Sequence, residues 1–409
     1  MKRILIISTV ILSFAGLTYG ALGGIPFEVF NTTLGARALS MGEACVADAT
    51  GVSAIFWNPA ALDSINKNLI YAGAEMLFEG ANMEYISYST PIGKFGGLGL
   101  MAGYLSYGSY EITDPSATVT GTGDMKDIFL TAAYGKNIIA GWQAGLALKM
   151  LIRDTPDEVY PAFNADISFY KSFEMVDLGL AFKNVLPITA GATADGQEKF
   201  VSTVRFGASL KLLDSKLKIA ADVEKYFINE NPLVFTGAEY TFFDMLSVRA
   251  GYNTLSQISG GLGINFQNAN FDYALTYAAA AALEHKIALS YAFGGYEVAL
   301  KAEPDIFSPV GAIKKTYIRI TAATKFEIYK WSLDLKNSKG EIIRTWNGAG
   351  VPDTEEVWDG LRQDGMPYDE GSYTAVMTVT DENDNSLKSK AAVIKIQTND
   401  RSSMPLLGE

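Results

Sequence analysis

The chain is poor in the residues that carry redox, metal and acid–base chemistry near neutral pH. One cysteine, Cys45, stands among 409 residues. It excludes an internal disulfide, so stability must come from packing and hydrogen bonding. One histidine, His285, excludes a histidine metal cluster, and no G-x-S-x-G elbow exists that it could serve as a base. Basic charge is also short, with 33 Lys and Arg against 45 Asp and Glu for a net charge of -12. That balance cannot neutralise a phosphate backbone, so nucleic acid is not an expected partner. Long apolar runs are missing too. Ile4 to Leu17, the longest, falls short of the ~20 residues that a spanning helix needs. It follows Lys2 and Arg3 and ends at Thr18-Tyr19-Gly20, so residues 1–20 are read as a secretory signal peptide and the mature chain begins near Ala21. No enzyme activity, cofactor or metal is expected.

Alternation is what the chain has in abundance. From Leu69 to Phe293, segments of about ten residues alternate apolar with polar or small side chains, the strand period. Val176, Leu178, Leu180 and Phe182 oppose Asp177, Gly179, Ala181 and Lys183; Leu246, Val248, Ala250 and Tyr252 oppose Ser247, Arg249 and Gly251. About fourteen strands are predicted over residues 68–294, starting near 69, 82, 95, 124, 140, 160, 176, 199, 216, 233, 245, 259, 270 and 284. A soluble sandwich would alternate as well. The number of consecutive strands, and inner charges opposite wholly apolar outer faces, favour an all-β transmembrane barrel with outer-membrane lipid around it. The expected lumen-facing charges are Lys149, Asp166, Lys183, Arg205, Asp222 and Arg249. Tyr71, Tyr85, Tyr88, Tyr104, Trp142 and Tyr170 are expected in interfacial girdles.

Residues 21–67 precede the strands. Gly35 to Leu62 is rich in Ala and Gly, lacks a clear period and must be enclosed to be ordered. Pro59 removes a backbone donor and drives Asn58 towards an extended conformation, which suits a lid or plug. The run Gly35-Ala36-Arg37-Ala38, Met41-Gly42, Ala44, Val46-Ala47, followed by Asn58-Pro59-Ala60 and Leu62, resembles the N-terminal part of the PorV/PorQ family, relatives of the FadL-type outer-membrane barrels. The resemblance implies a hatch in the lumen of a fourteen-stranded barrel, with Arg37, Met41, Gly42, Trp57, Asn58, Pro59 and Ala60 as its residues. It also suggests a lateral opening where an early strand kinks, at Gly96, Gly97 and Gly99, although strand curvature alone would explain those glycines. Two functions follow from it: attachment or secretion of exported proteins of the type IX kind, with secretion components or cargo as partners, and FadL-like passive transport of a hydrophobic ligand. A structural anchor with a periplasmic binding module is a third.

Residues 295–313 read as a linker, 314–398 as a small β-sandwich and 399–409 as a tail. Phe307-Ser308-Pro309, Gly340 with Ile343 and Arg344, Trp358-Asp359-Gly360, Asp364-Gly365 and Gly371-Ser372-Tyr373 resemble the FlgD-like immunoglobulin-type repeat. Val310-Gly311-Ala312 replaces the turn usual after the first of these. Asp381, Asn383 and Asn385 imitate the start of a calcium loop, but Ser386 and Ala392 stand where its glycine and bidentate glutamate belong, so a hairpin turn is expected. An even strand count returns the chain to its starting side, which puts the sandwich in the periplasm of an outer-membrane protein.

Overall fold

The computed structural model describes residues 28–30, 33–77, 80–156, 158–189, 200–228, 231–255, 257–278 and 283–397. The expected signal peptide and the tail 399–409 lie outside them. Two compact units divide at Phe293 and Gly294.

In the first unit, fourteen strands form a ring: β1 (Asn68–Met76), β2 (Asn82–Pro91), β3 (Gly97–Thr113), β4 (Val119–Ile139), β5 (Trp142–Asp154), β6 (Val159–Ser172), β7 (Val176–Lys183), β8 (Thr203–Leu212), β9 (Leu217–Tyr226), β10 (Leu233–Phe242), β11 (Leu246–Asn253), β12 (Gln257–Phe266), β13 (Ala269–Ala278) and β14 (Leu283–Phe293). Each pairs antiparallel with the next, a two-residue strand, Ile188–Thr189, pairs beside β6, and β1 pairs β14 from Asn68↔Phe293 to Met76↔His285. The sheet therefore closes on itself and has no edge to satisfy, the condition for backbone inside a bilayer. Predicted and observed starts differ most at the fourth strand, 124 against Val119, and the eighth, 199 against Thr203. Those strands adjoin polar connections whose composition does not mark where pairing begins.

Tight turns gather at one end of the ring. They use left-handed residues that hairpin connections require, among them Ala140 with Gly141, Phe243 with Asp244, and Gln267. The longer connections lie at the other end, where β3 (17 residues) and β4 (21 residues) rise past their neighbours. Alternation sorts the two faces. Leu148, Ile258, Leu262 and Leu289 are among many apolar side chains exposed on the outside, whereas Arg205 and Asp222 are 0% and 1% exposed inside. Ten residues such as β12, tilted by ~40°, rise about 25 Å, the height of a barrel's apolar band. Three of the expected girdle aromatics belong elsewhere: Tyr71, Tyr85 and Tyr170 are buried on the inner register. Within the lumen the Tyr85 phenol donates to Glu75 at 2.9 Å, and the Tyr85 and Tyr71 rings stack with centroids 6.0 Å apart. Trp142 and Tyr88 do face outward.

The second unit has two sheets. Glu297–Glu303, Thr316–Ala323 and Glu355–Trp358 form one. Ile306–Phe307, Ala392–Ile396, Gly371–Asp381, Ile328–Lys336 and Ile342–Ala349 form the other in that order, with Ser386–Lys388 beside Gly371–Asp381. The expected linker 295–313 thus holds two strands, Glu297–Glu303 and Ile306–Phe307, and the sandwich begins at Glu297. Val298, Leu300 and Ala302 supply its apolar face, and Glu297, Lys301 and Glu303 on the other face, with Pro304 next, give the segment the look of a boundary. Trp358 is fully buried against Phe307 and Tyr373, with ring centroids at 5.4 and 5.0 Å. Asp381 accepts the backbone N–H groups of Asn383 and Asn385 at 2.9 and 3.0 Å, which makes that segment a hairpin turn.

Candidate functional site: the hatch and the inner wall

The described residues between Val29 and Leu62 are almost all buried. Their helices, α1 (Ala36–Ser40), α2 (Val52–Phe56) and the 3-10 segment Pro59–Ser64, are too short to stand alone, so the wall must hold them. Proline at the start of the last one supplies no donor where none is needed. Asn58, extended before it, donates from Nδ2 to the carbonyls of Val46 at 2.7 Å and Phe169 at 3.2 Å, tying two hatch turns to β6. The Ala60 N–H donates to Ser168 at 2.9 Å, and Gly42 N–H to Ser259 at 3.1 Å.

Glycines in the wall mark where hatch backbone touches it. A methyl at Gly97 would overlap the Leu62 carbonyl, at Gly135 the Pro59 carbonyl, at Gly145 the Ala60 amide, at Gly237 the Met41 carbonyl and at Gly251 the Gly42 backbone. The lateral opening expected at Gly96, Gly97 and Gly99 is not at those positions. Gly97 and Gly99 pair with Pro91 and Ser89 on one side and with Gly135 and Ala133 on the other, an unbroken ladder. Gly96 ends the turn before β3 at φ 107, close to the Gly135 carbonyl. At Gly97 and Gly99 the plug residues Leu62 and Ile55 occupy the space a side chain would need. Replacing Gly251 by Ala is expected to destabilise the barrel by about 1–3 kcal/mol through overpacking. Gly260→Ala, where the added carbon meets nothing closer than the Arg249 carbonyl at 3.7 Å, should stay within about 0.5 kcal/mol. Urea midpoints of the two variants in detergent provide the comparison.

All six charges expected to face the lumen are buried there. Lys149 meets Asp166 at 2.6 Å, Arg205 meets Asp222 at 2.9 Å and Glu224 at 3.2 Å, and Arg249 meets Asp272 at 2.6 Å. Asp222 also accepts the N–H groups of Cys45 and Val46 at 2.9 and 3.0 Å, so a wall carboxylate holds the hatch directly. Arg37 is the hatch's own cation: it pairs with Asp48 of the hatch and with Glu239 of β10, at 3.0 Å, while Arg249 reaches the same Glu239. Trp57 is stacked between cations. Lys183 lies 4.2 Å from its ring centroid and equally from Phe56, and Arg205 lies 4.6 Å from Trp57 and 4.0 Å from Phe235.

Sequence reasoning missed the partners Asp48, Glu75, Asp127, Arg153, Glu224, Glu239, Asp272 and Lys286. Glu75 meets Lys286 at 2.7 Å across the β1–β14 seam and accepts the Gly35 N–H at 3.3 Å; Arg153 meets Asp127 at 2.8 Å. The signal was available in part, since Glu239 shares an inward register with Phe235 and Gly237 on β10. What alternation does not give is the register between neighbouring strands, which sets Glu239 beside Arg249, Asp127 beside Arg153 and Glu75 beside Lys286. The arrangement is a filled and cross-linked lumen whose chemistry is binding and positioning.

No family model matches the chain, and no curated protein matches it. Solved structures that resemble it include the Pseudomonas putida toluene transporter TodX, at TM-score 0.47 and 13% identity over 63% of this chain and 97% of that one. The Acinetobacter baumannii outer membrane protein Omp33 gives 0.35 and 9% over 56% and 98%, and the KdgM porin 0.31 and 8% over 55% and 99%. Scores of this size carry no inference about what the chain binds.

Proposed function

We propose that the chain is an outer-membrane barrel of the PorV/PorQ type, which attaches or passes on exported proteins at its rims and loops and keeps its lumen closed. The observation that carries this reading is the plug: a hatch bonded to the wall through Asp222, Glu239 and Glu75 suits a barrel that docks proteins better than one that conducts solutes. Proteoliposomes containing the protein should retain small hydrophilic dyes, and cross-linking in intact cells should capture exported proteins or secretion components. Rapid dye release, or capture of none of these, would remove the reading.

A second reading, passive movement of hydrophobic small molecules, is favoured by a different feature. An apolar groove of about 740 Å³ crosses the outer face of β1 to β6, with Ile86, Leu100, Leu130, Leu148 and Phe163 along it. Uptake of a hydrocarbon by proteoliposomes, with no captured protein, would favour that role. In either case β1 begins and β14 ends at the tight-turn end, the periplasmic end in barrels of this class. The sandwich would then be periplasmic. A protease site inserted in its exposed turn 337–341 is expected to resist protease in intact cells and to be cut after the outer membrane is permeabilised.

A further inference from the structure

Near the tight-turn end, the charged side chains on the outward register of the described strands are Lys136 on β4 and Lys171 on β6, with no carboxylate among them. Lys171 is held between two rings, its ammonium 5.2 Å from the Trp142 centroid and 5.0 Å from Phe173. Lys136 lies on the neighbouring side of Trp142, since Lys136 pairs with Ala144 and Ile139 with Trp142. From Trp142 an apolar groove of about 240 Å³ runs along the outer wall, lined by Phe169, Leu178, Leu180 and Phe206.

We propose that this is a site for one glycerophospholipid whose headgroup carries a net negative charge on its phosphodiester. The groove is continuous with the face that the fold presents to hydrocarbon, so its occupant at that depth is an acyl chain. The lysines stand at the end of the groove, where a chain's headgroup emerges. Aromatic rings on either side fix Lys171 while leaving its charge for a phosphate, and long basic side chains extend from apolar walls to the interface in this way. A zwitterionic lipid would gain the groove and its phosphate could still reach the lysines, but its own ammonium would offset much of their attraction, so a lipid of net negative charge binds more tightly. The inference depends on the barrel spanning a membrane and not on its role in secretion or transport.

The test uses the full mature chain in a non-ionic detergent, titrated with phosphatidylglycerol or phosphatidylcholine and followed by native mass spectrometry. Phosphatidylglycerol should bind more tightly, and Lys171→Met should weaken it about fivefold, the attraction of one basic residue at a membrane surface. Lys136→Met with Lys171→Met should weaken it about 25-fold on the same basis. Leu178→Trp, which fills the groove and keeps both charges, should abolish binding of both lipids. Inorganic phosphate at millimolar concentration should not displace the lipid. Equal binding of the two lipids by the unaltered protein, unchanged affinity in Lys171→Met, or displacement by phosphate would each overturn the proposal. Heat-modifiable migration identifies variants that have assembled; should Lys171→Met fail to assemble, Leu178→Trp and the preference of the unaltered protein decide.

Discussion

Replacing Arg205 with methionine should destabilise the barrel by about 3–5 kcal/mol, since it strands partners of a buried charge. Arg205 is fully buried, pairs with Asp222 and Glu224, donates to the Glu43 carbonyl of the hatch and lies on Phe235 and Trp57. Methionine matches much of its volume and none of its five donors. Asp222 would keep its two hatch amides, whereas the hydrogen bond left to Glu224 among the described residues is that of the Thr203 hydroxyl at 2.8 Å. Lysine should not rescue, because one ammonium cannot face two carboxylates and stack on two rings as a guanidinium does. Adding Asp222→Asn to Arg205→Met should recover part of the loss by removing one stranded charge. Urea unfolding in detergent measures all three; a loss below about 0.5 kcal/mol for Arg205→Met would mean that water reaches the site and the lumen is not filled.

Deleting residues 35–62 should leave a barrel that assembles and conducts. The hatch supplies side-chain and amide contacts to the wall, whereas the ladder from β1 round to β14 closes by strand–strand bonds alone. Without it, wall carboxylates lose Arg37 and the amides of Gly35, Cys45 and Val46, but Arg205, Arg249 and Lys286 remain opposite them. Water can replace the missing partners once the lumen is open. Planar-bilayer recording should pass from no resolved steps to steps of a water-filled barrel. A deletion that fails to assemble would make the hatch a core on which the strands depend.

How much of this was legible follows from what each signal encodes. Alternation reports which way a side chain points, so the inward charges on β5 to β11 could be named from sequence, and so could fourteen strands. It does not report height along the barrel, the register between neighbouring strands or what the hatch brings to the wall. That is why Glu239 escapes it as the meeting point of Arg249, its neighbour on the adjoining strand, and Arg37 of the hatch, and why Tyr71 and Tyr85, which lie on the inner register, read as girdle residues. The glycines of β3 had two sufficient explanations, a kink or a close neighbour, and only coordinates of Leu62 and Ile55 separate them. Strand Glu297–Glu303 reads as linker because it is short, carries three charges on its other face and runs into Pro304.

The seam between β1 and β14 sets an order of events. Asn68 and Phe293 are neighbours in space and ends of the same long loop in sequence, and bringing such ends together carries the largest entropic cost in the unit. The hatch touches β3 to β6 on one side and β10 to β12 on the other, so a ring already shut would have to admit it through a mouth. An open, curving sheet can instead collect it laterally, strand by strand, with Glu75 and Lys286 meeting as the last two strands join. Closure therefore follows filling, and the slow step in making this protein is expected to be one that locks its contents in.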